Sequence, residues 1–351
     1  MFDRPEAEVT RNWRGDHASP LASICCIAYN HQGYIAKAID SLLAQVTTFP
    51  FEILIHDDAS SDGTTETIRR YADAYPNIIR TVLQEENQYS QEPIISPRFL
   101  FPLVRGKYVA MCEGDDYWCS ADKLATQCAA LEQNAQVDLS FHPVFKLDDR
   151  TGRMKVVAKL SDGERRLESS TIILGGGGFC PTASIIFRSS IIPDIISCVE
   201  KAPVSDKFIQ IVASLSNGAL FLPQTMAVYR AGHEGSWTRR INNSDRLKQY
   251  ESRIGFPYEW LYANCPENLL DIIKFSEADQ YARIAKNYLL AGDVDSAQRT
   301  LSTSAGLFPR GWLLRGLVRW SARGSLRTRL YVVIYPVFRS LFRYRVRFWR
   351  S

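Results

Sequence analysis

From Leu21 onward, short apolar runs alternate with stretches of helical periodicity. This is the signature of βα units feeding a largely parallel sheet. Leu21 to Ala28 is apolar throughout most of its length and reads as a buried strand. Ile35, Ala38, Ile39, Leu42, Leu43 and Val46 then recur at helical spacing, which predicts an amphipathic helix laid on that sheet.

The rhythm repeats. Phe51 to Ile55, Ile78 to Leu83, Tyr108 to Met111 and Val137 to Phe141 read as strands. Helices are predicted over Thr64 to Tyr75, stopped by Pro76, and over Asp122 to Asn134. Residues 148–178 are more polar and end in Gly175-Gly176-Gly177-Gly178, and a mobile loop is predicted there. Ala183 to Arg188 resumes as a strand, Ser205 to Asn217 as a helix with Gly218 as its C-cap, and Ala219 to Leu222 and Met226 to Tyr229 as closing strands. Beyond about Ser244 the periodicity is helical, with a helix–turn–helix over 281–301 of tetratricopeptide flavour. A single such unit is not a repeat array.

These patterns divide the 351 residues into an N-terminal extension (1–19), an α/β domain (20–243), a helical region (244–309) and a tail (310–351). Hydrophobic residues at 46% and charged residues at 23% are a globular balance. Eight scattered cysteines without a CxxC pair exclude a zinc or redox motif. The acidic start without an apolar core is no secretory signal, so free thiols in a reducing cytoplasm are expected. The formal charge of +4 hides an asymmetry: eleven arginines fall in 310–351, which has no lysine, aspartate or glutamate. Elsewhere 31 basic residues face 38 acidic ones, so an anionic partner is expected for the tail alone.

Three acidic turns follow predicted strands, and in an open parallel sheet such strand ends converge on one ligand crevice. The first holds Asp57, Asp58 and Asp62-Gly63. The second crowds Glu113, Asp115 and Asp116 just after a strand and before Tyr117 and Trp118. Carboxylates this close repel unless a cation compensates, and oxygen ligation with substrate phosphates suits Mg²⁺ or Mn²⁺. The third places Asp206 in the first turn of a helix, where an acid also serves as a dipole-matching cap.

The segments ASICCIAYNHQGYIAKAIDSLLAQ (22–45), EILIHDDASSDGT (52–64) and GKYVAMCEGDDYW (106–118) together resemble glycosyltransferase family 2, whose members are inverting enzymes of GT-A fold. The likeness covers about residues 20–235, and the closing ALFLPQTMAVYRAGHEGSW resembles members acting in polysaccharide and lipopolysaccharide assembly. It implies a GT-A, Rossmann-like, mostly parallel sheet flanked by helices, with a C-terminal helical extension. It implies a nucleoside lined by Ala28, Tyr29 and Asn30, with Asp58 bonding the base and Asp57 supporting it. Glu113-Gly114-Asp115 takes the place of the DXD motif. Asp115 would then bind Mn²⁺ or Mg²⁺, with Glu113 and Asp116 beside the nucleotide-sugar and Glu113 departing from the usual aspartate. Asp206 matches the catalytic base. The implied partners are a nucleotide-sugar donor, probed first as a UDP-sugar, and a glycan or lipid-linked acceptor.

His233 and His142 are not expected to ligate metal, and the glycine run lacks the lysine and hydroxyl residue of a P-loop. A nucleotidyltransferase would need a glycine-rich basic loop near the first strand, which Ala28-Tyr29-Asn30-His31 is not. A non-catalytic nucleotide-sugar-binding scaffold remains open. In the tail, arginines interleave with Leu, Val, Ile, Phe and Trp, which favours an anionic membrane surface over nucleic acid. A peripheral protein on the inner face of the cell membrane is expected.

Overall fold

The computed structural model describes residues 4–232 and 244–307. They fall into two compact units, one running to Ile172 and resuming at Gly177, the other made of Ile173–Gly176 and the helices from residue 244 on.

In the first unit the strands are β1 (Ala22–Ala28), β2 (Phe51–Asp57), β3 (Ile79–Leu83), β4 (Tyr108–Glu113), β5 (Tyr117–Trp118), β6 (Leu139–Phe141), β7 (Val144–Asp148), β8 (Met154–Val157), β9 (Arg165–Leu167), β10 (Ile186–Arg188), β11 (Ala219–Phe221) and β12 (Ala227–Ala231). The helices are α1 (Glu6–Val9), α2 (Ile35–Leu43), α3 (Thr64–Ala74), α4 (Lys123–Gln133), α5 (Ser169–Gly175, of which residues from Ile173 on are counted with the second unit), α6 (Ile192–Val199) and α7 (Asp206–Val212). An eight-stranded sheet runs β3-β2-β1-β4-β10-β6-β11-β9, and a four-stranded sheet runs β5-β12-β7-β8. The β3-β2-β1-β4 half is parallel, as expected from its βα rhythm. Its central strands β1, β2 and β4 are buried along almost their whole length, which is why they read as continuous apolar runs rather than alternating ones.

Helix α2 buries the predicted stripe Ile35, Ala38, Ile39, Leu42 and Leu43. Val46 does not belong to it: the helix ends at Leu43, and Val46 is exposed while its N–H donates to the Ala121 carbonyl at 2.9 Å. Register carries the functional consequence of this packing. Ala28 stands opposite Asp57, and Ile27 opposite Glu113, so three strand ends open side by side on one rim.

The expected loop over 148–178 is corrected by the structure, which contains β8, β9 and α5 there. Strand β8 pairs antiparallel with β7 across a turn in which Gly152 adopts φ 68°. It is a sheet edge whose Met154, Lys155 and Val156 face water, and β9 exposes Arg165 and Arg166. Polar or exposed edge strands lack the alternation that marks a half-buried strand, so their composition reads as loop. The run of glycines is likewise only partly irregular, since Gly175 ends α5 and Gly176 turns at φ 75°.

Two further elements are shorter than their patterns. Thr182–Ser184 is a 3-10 turn leading into β10, and α7 stops at Val212. Gly218 nevertheless closes that segment at φ 74°, with its N–H on the Ser214 carbonyl at 2.9 Å. A Cβ there would meet the Leu167 carbonyl oxygen at 1.8 Å, so only glycine fits.

The second unit is helical: Ser244–Arg253, Gly255–Asn264, Leu270–Leu290 and Val294–Leu307. The predicted helix–turn–helix is its last pair, turning at Gly292 (φ 84°). Ala278, Ala282, Ala285, Ala297, Leu301 and Ala305 are buried in that pair. No helix among the described residues is long and apolar enough to cross a membrane. His233 and the arginine-rich tail 310–351 lie outside the described residues.

Candidate active site

The first rim loop is clasped to the second by side chains. The Asn30 N–H donates to Ser60 Oγ at 2.9 Å, and Asn30 Oδ1 accepts from the Ser61 N–H at 2.8 Å. The His31 N–H donates to Thr64 Oγ1 at 2.8 Å, and the Gln32 N–H to Asp62 Oδ2 at 3.0 Å. Asp57, fully buried, accepts from the hydroxyls of Ser60 and Thr65 and so shapes the second loop from below. Asn30 and Ala59 both sit in the left-handed region, at φ 54° and 59°. For alanine this costs on the order of 1 kcal/mol, strain that a rim held by this many bonds can sustain.

Asp58 is buried as well, and its two oxygens accept the backbone N–H groups of Gln88 (2.7 Å) and Tyr89 (3.0 Å). Each carboxylate oxygen retains a second lone pair. Asp58 therefore joins the loop after β3 to the same rim.

Glu113 ends β4, and Asp115 and Asp116 follow it in a tight turn closed by the Asp116 N–H on the Glu113 carbonyl at 3.0 Å. Gly114 sits against the first loop, its N–H donating to the Ile27 carbonyl at 2.8 Å. Burial raises the Glu113 carboxyl, and the charges of Asp115 and Asp206 raise it further. Burial likewise lifts Asp116 well above the carboxylate range, reinforced by Asp115 and Glu113. Among the described residues no three such side chains converge closely enough to enclose a metal alone. One or two carboxylates completed by substrate phosphates is how Mg²⁺ is usually held, so the donor set fits such an ion.

Asp206 opens α7 with its Oδ1 accepting the Lys207 N–H at 2.7 Å. It is partly exposed, and burial of its surroundings raises its carboxyl above the usual range. Tyr229 ties the acids together. Burial raises its hydroxyl to about 12, with Asp116, Glu113, Asp115 and Asp206 all adding to the effect. Four carboxylates from two chain segments, 113–116 and Asp206, thus act electrostatically on one tyrosine of β12.

Sequence reasoning missed a polar clasp beside them. Arg230, on β12, pairs with Asp149 Oδ1 at 3.0 Å, and the Tyr34 hydroxyl donates to Asp149 Oδ2 at 2.7 Å. Its guanidinium carbon lies 5.1 Å from the Tyr34 ring centre and 5.2 Å from that of Tyr117. Tyr117 following the acids was the available signal; the distant partners were not readable. His142, by contrast, is fully buried with Nδ1 at 2.7 Å from the Pro143 carbonyl oxygen.

Residues 23–192 match the family model described as Glycosyl transferase family 2. This chain carries a family 2 glycosyltransferase domain. An uncharacterized Mycobacterium tuberculosis protein is 33% identical to the chain over 234 residues, 66% of this chain and 64% of the relative, so the match spans less than two thirds of that relative. The Escherichia coli UDP-Glc:alpha-D-GlcNAc-diphosphoundecaprenol beta-1,3-glucosyltransferase WfaP is 30% identical over 112 residues, 32% of this chain and 41% of its own length. S. aureus TarS 1-349 in complex with UDP-GlcNAc superposes at TM-score 0.57 and 17% identity, covering 90% of this chain and 91% of that one. The Pyrobaculum calidifontis mannosyltransferase PcManGT with GDP-Man and Mn²⁺ does so at 0.54 and 16%, covering 95% and 92%. These likenesses establish the GT-A fold of the glycosyltransferase domain.

Proposed function

We propose that the chain is a metal-dependent, inverting glycosyltransferase that moves a sugar from a UDP-sugar to an acceptor hydroxyl in surface polysaccharide or lipopolysaccharide assembly. The observation that carries this reading is the crowding of Glu113, Asp115 and Asp116 in one turn on the rim where three parallel strands end, with Asp206 near enough to act on the Glu113 carboxyl. Ala28, Tyr29, Asn30, Asp57 and Asp58 line the nucleoside side. Asp115 would hold Mn²⁺ or Mg²⁺ together with the donor's phosphates, with Glu113 and Asp116 as its neighbours in the turn. When bound, that ion neutralises the departing nucleoside diphosphate.

Asp206 accepts the proton of the acceptor hydroxyl as its oxygen attacks the anomeric carbon and the bond to the diphosphate breaks. A raised carboxyl is the stronger base, which suits this task. One displacement inverts the centre, so an α-linked donor gives a β-linked product. WfaP, which acts on a diphosphoundecaprenol-linked sugar from UDP-Glc, supports a lipid-linked glycan as the acceptor class.

We assign the tail 310–351 to an anionic membrane surface, since arginines interleaved with aromatic and aliphatic residues suit the headgroup boundary. Flotation with anionic but not neutral vesicles, lost when the chain ends at Pro309, is expected. Equal flotation of both lengths would contradict it.

The test of the function is ¹H NMR of UDP-glucose, UDP-GlcNAc and GDP-mannose incubated with the full chain. Consumption of a UDP-sugar with Mn²⁺, abolished by EDTA and releasing the β-anomer first, is expected. No metal-dependent consumption of any donor together with no Mn²⁺-dependent UDP binding would overturn it.

A further inference from the structure

Arg230 does two separate things at the rim. Its backbone N–H donates to Asp116 Oδ1 at 2.8 Å, fixing the last acid of the turn that begins at Glu113. Its side chain, only 13% exposed, lies against the rings of Tyr34 and Tyr117 and pairs with Asp149. Tyr34 precedes α2 at the end of the first rim loop, and Tyr117 directly follows the acids. Asp149 follows β7, its N–H on the Ala231 carbonyl at 2.9 Å, and its second oxygen receives the Tyr34 hydroxyl. One guanidinium thus gathers the nucleoside loop, the acidic turn and the four-stranded sheet.

A partly desolvated cation between two aromatic faces gains more than an exposed one, and pairing with a carboxylate that is itself hydrogen-bonded fixes its direction. Glu113, Asp115 and Asp116 crowd one tight turn, so the turn that carries them needs an external constraint to hold its carboxylates at one spacing. The strand that borders the turn is β12, through its pairing with β5.

We propose that Arg230, oriented by Asp149 and Tyr34, is a positioning residue that holds the Glu113–Asp116 turn in the spacing that receives a divalent cation and a nucleoside diphosphate. This rests on the reading of that turn as the metal-diphosphate site. The prediction is a loss of metal assistance rather than of nucleotide recognition as such.

The test is calorimetric titration of UDP into the full chain with Mn²⁺ and with EDTA, the readout being the ratio of the two dissociation constants. Arg230→Ala and Asp149→Ala should each lower that ratio about tenfold or more, Arg230→Lys should restore part of it, and the Arg230→Ala/Asp149→Ala pair should be no worse than either alone. Glu52→Gln, at the opposite end of the strands, serves as a control that lowers stability and should leave the ratio unchanged. A wild-type ratio in Arg230→Ala, while Asp115→Asn loses it, would overturn the role of Arg230 and leave the metal site standing. Equal loss in Glu52→Gln would show only a general effect of stability and would also overturn it. A wild type with no Mn²⁺ enhancement would overturn the metal site and this inference together.

Discussion

Gly114 lies so close to Ile27 that its N–H bonds the Ile27 carbonyl at 2.8 Å, and a Cβ on Gly114 would stand 2.9 Å from His31 Nδ1 and 3.1 Å from Ala28 Cβ. The first rim loop and the acidic turn can touch because this residue has no side chain. Gly114→Val should therefore part the two loops at a cost of about 1–3 kcal/mol. The expected result is a UDP affinity with Mn²⁺ weakened at least about tenfold, with a cooperative unfolding transition retained. Unchanged affinity would mean that the contact does not shape the site.

Glu52 organises the other end of the strands. It is almost fully buried and receives the Ser23 hydroxyl at 2.6 Å, Arg105 at 2.7 Å and Arg80 at 3.0 Å. Burial pushes its carboxyl up, but the bonds from Ser23, Arg105 and Arg80 outweigh that and hold it below its ordinary value of 4.5. Because both arginines are more than a third exposed, Glu52→Gln should cost about 2 kcal/mol, less than breaking a wholly buried pair. A depressed carboxyl stabilises above its unfolded value and loses that effect as pH falls through the folded one. Urea midpoints of wild type and Glu52→Gln should therefore converge below about pH 4.5. A constant gap down to pH 3 would contradict this.

The sheet and most of this rim were legible because their signals are local. A buried parallel strand is a continuous apolar run, and its acidic turn follows at once, as with Ile53 to Asp58 and Tyr108 to Asp116. Edge strands β8 and β9 were not legible, since water-facing Met154, Val156, Arg165 and Arg166 carry no alternation. Nor was the clasp of Arg230 and Asp149, which lie 81 positions apart and meet only through the pairing of β12 with β7. Asp57 was expected beside the base-binding Asp58, and its bonds to the hydroxyls of Ser60 and Thr65, which shape the loop itself, were not readable from that resemblance.

Lys123 is a buried lysine at the start of α4, its Nζ 3.9 Å from the Trp118 ring centre. Burial lowers its ammonium from 10.5 to about 7, against the opposing influence of Cys112 and Cys128. Between those values the unfolded chain holds a proton that the folded chain has released, so stability rises with pH across that window. Lys123→Met removes this dependence. Urea midpoints at pH 7 and pH 9 should show wild type gaining on Lys123→Met as pH rises, and parallel behaviour would refute a neutral buried lysine.

Asp206→Asn tests the central claim most directly, because the base touches the acceptor proton and not the nucleotide. With a UDP-sugar identified as donor, turnover at saturating concentration should fall about 10²–10⁴-fold while the UDP affinity in Mn²⁺ stays at the wild-type value. Turnover within a few-fold of wild type would contradict the assignment of Asp206 and with it the proposed mechanism.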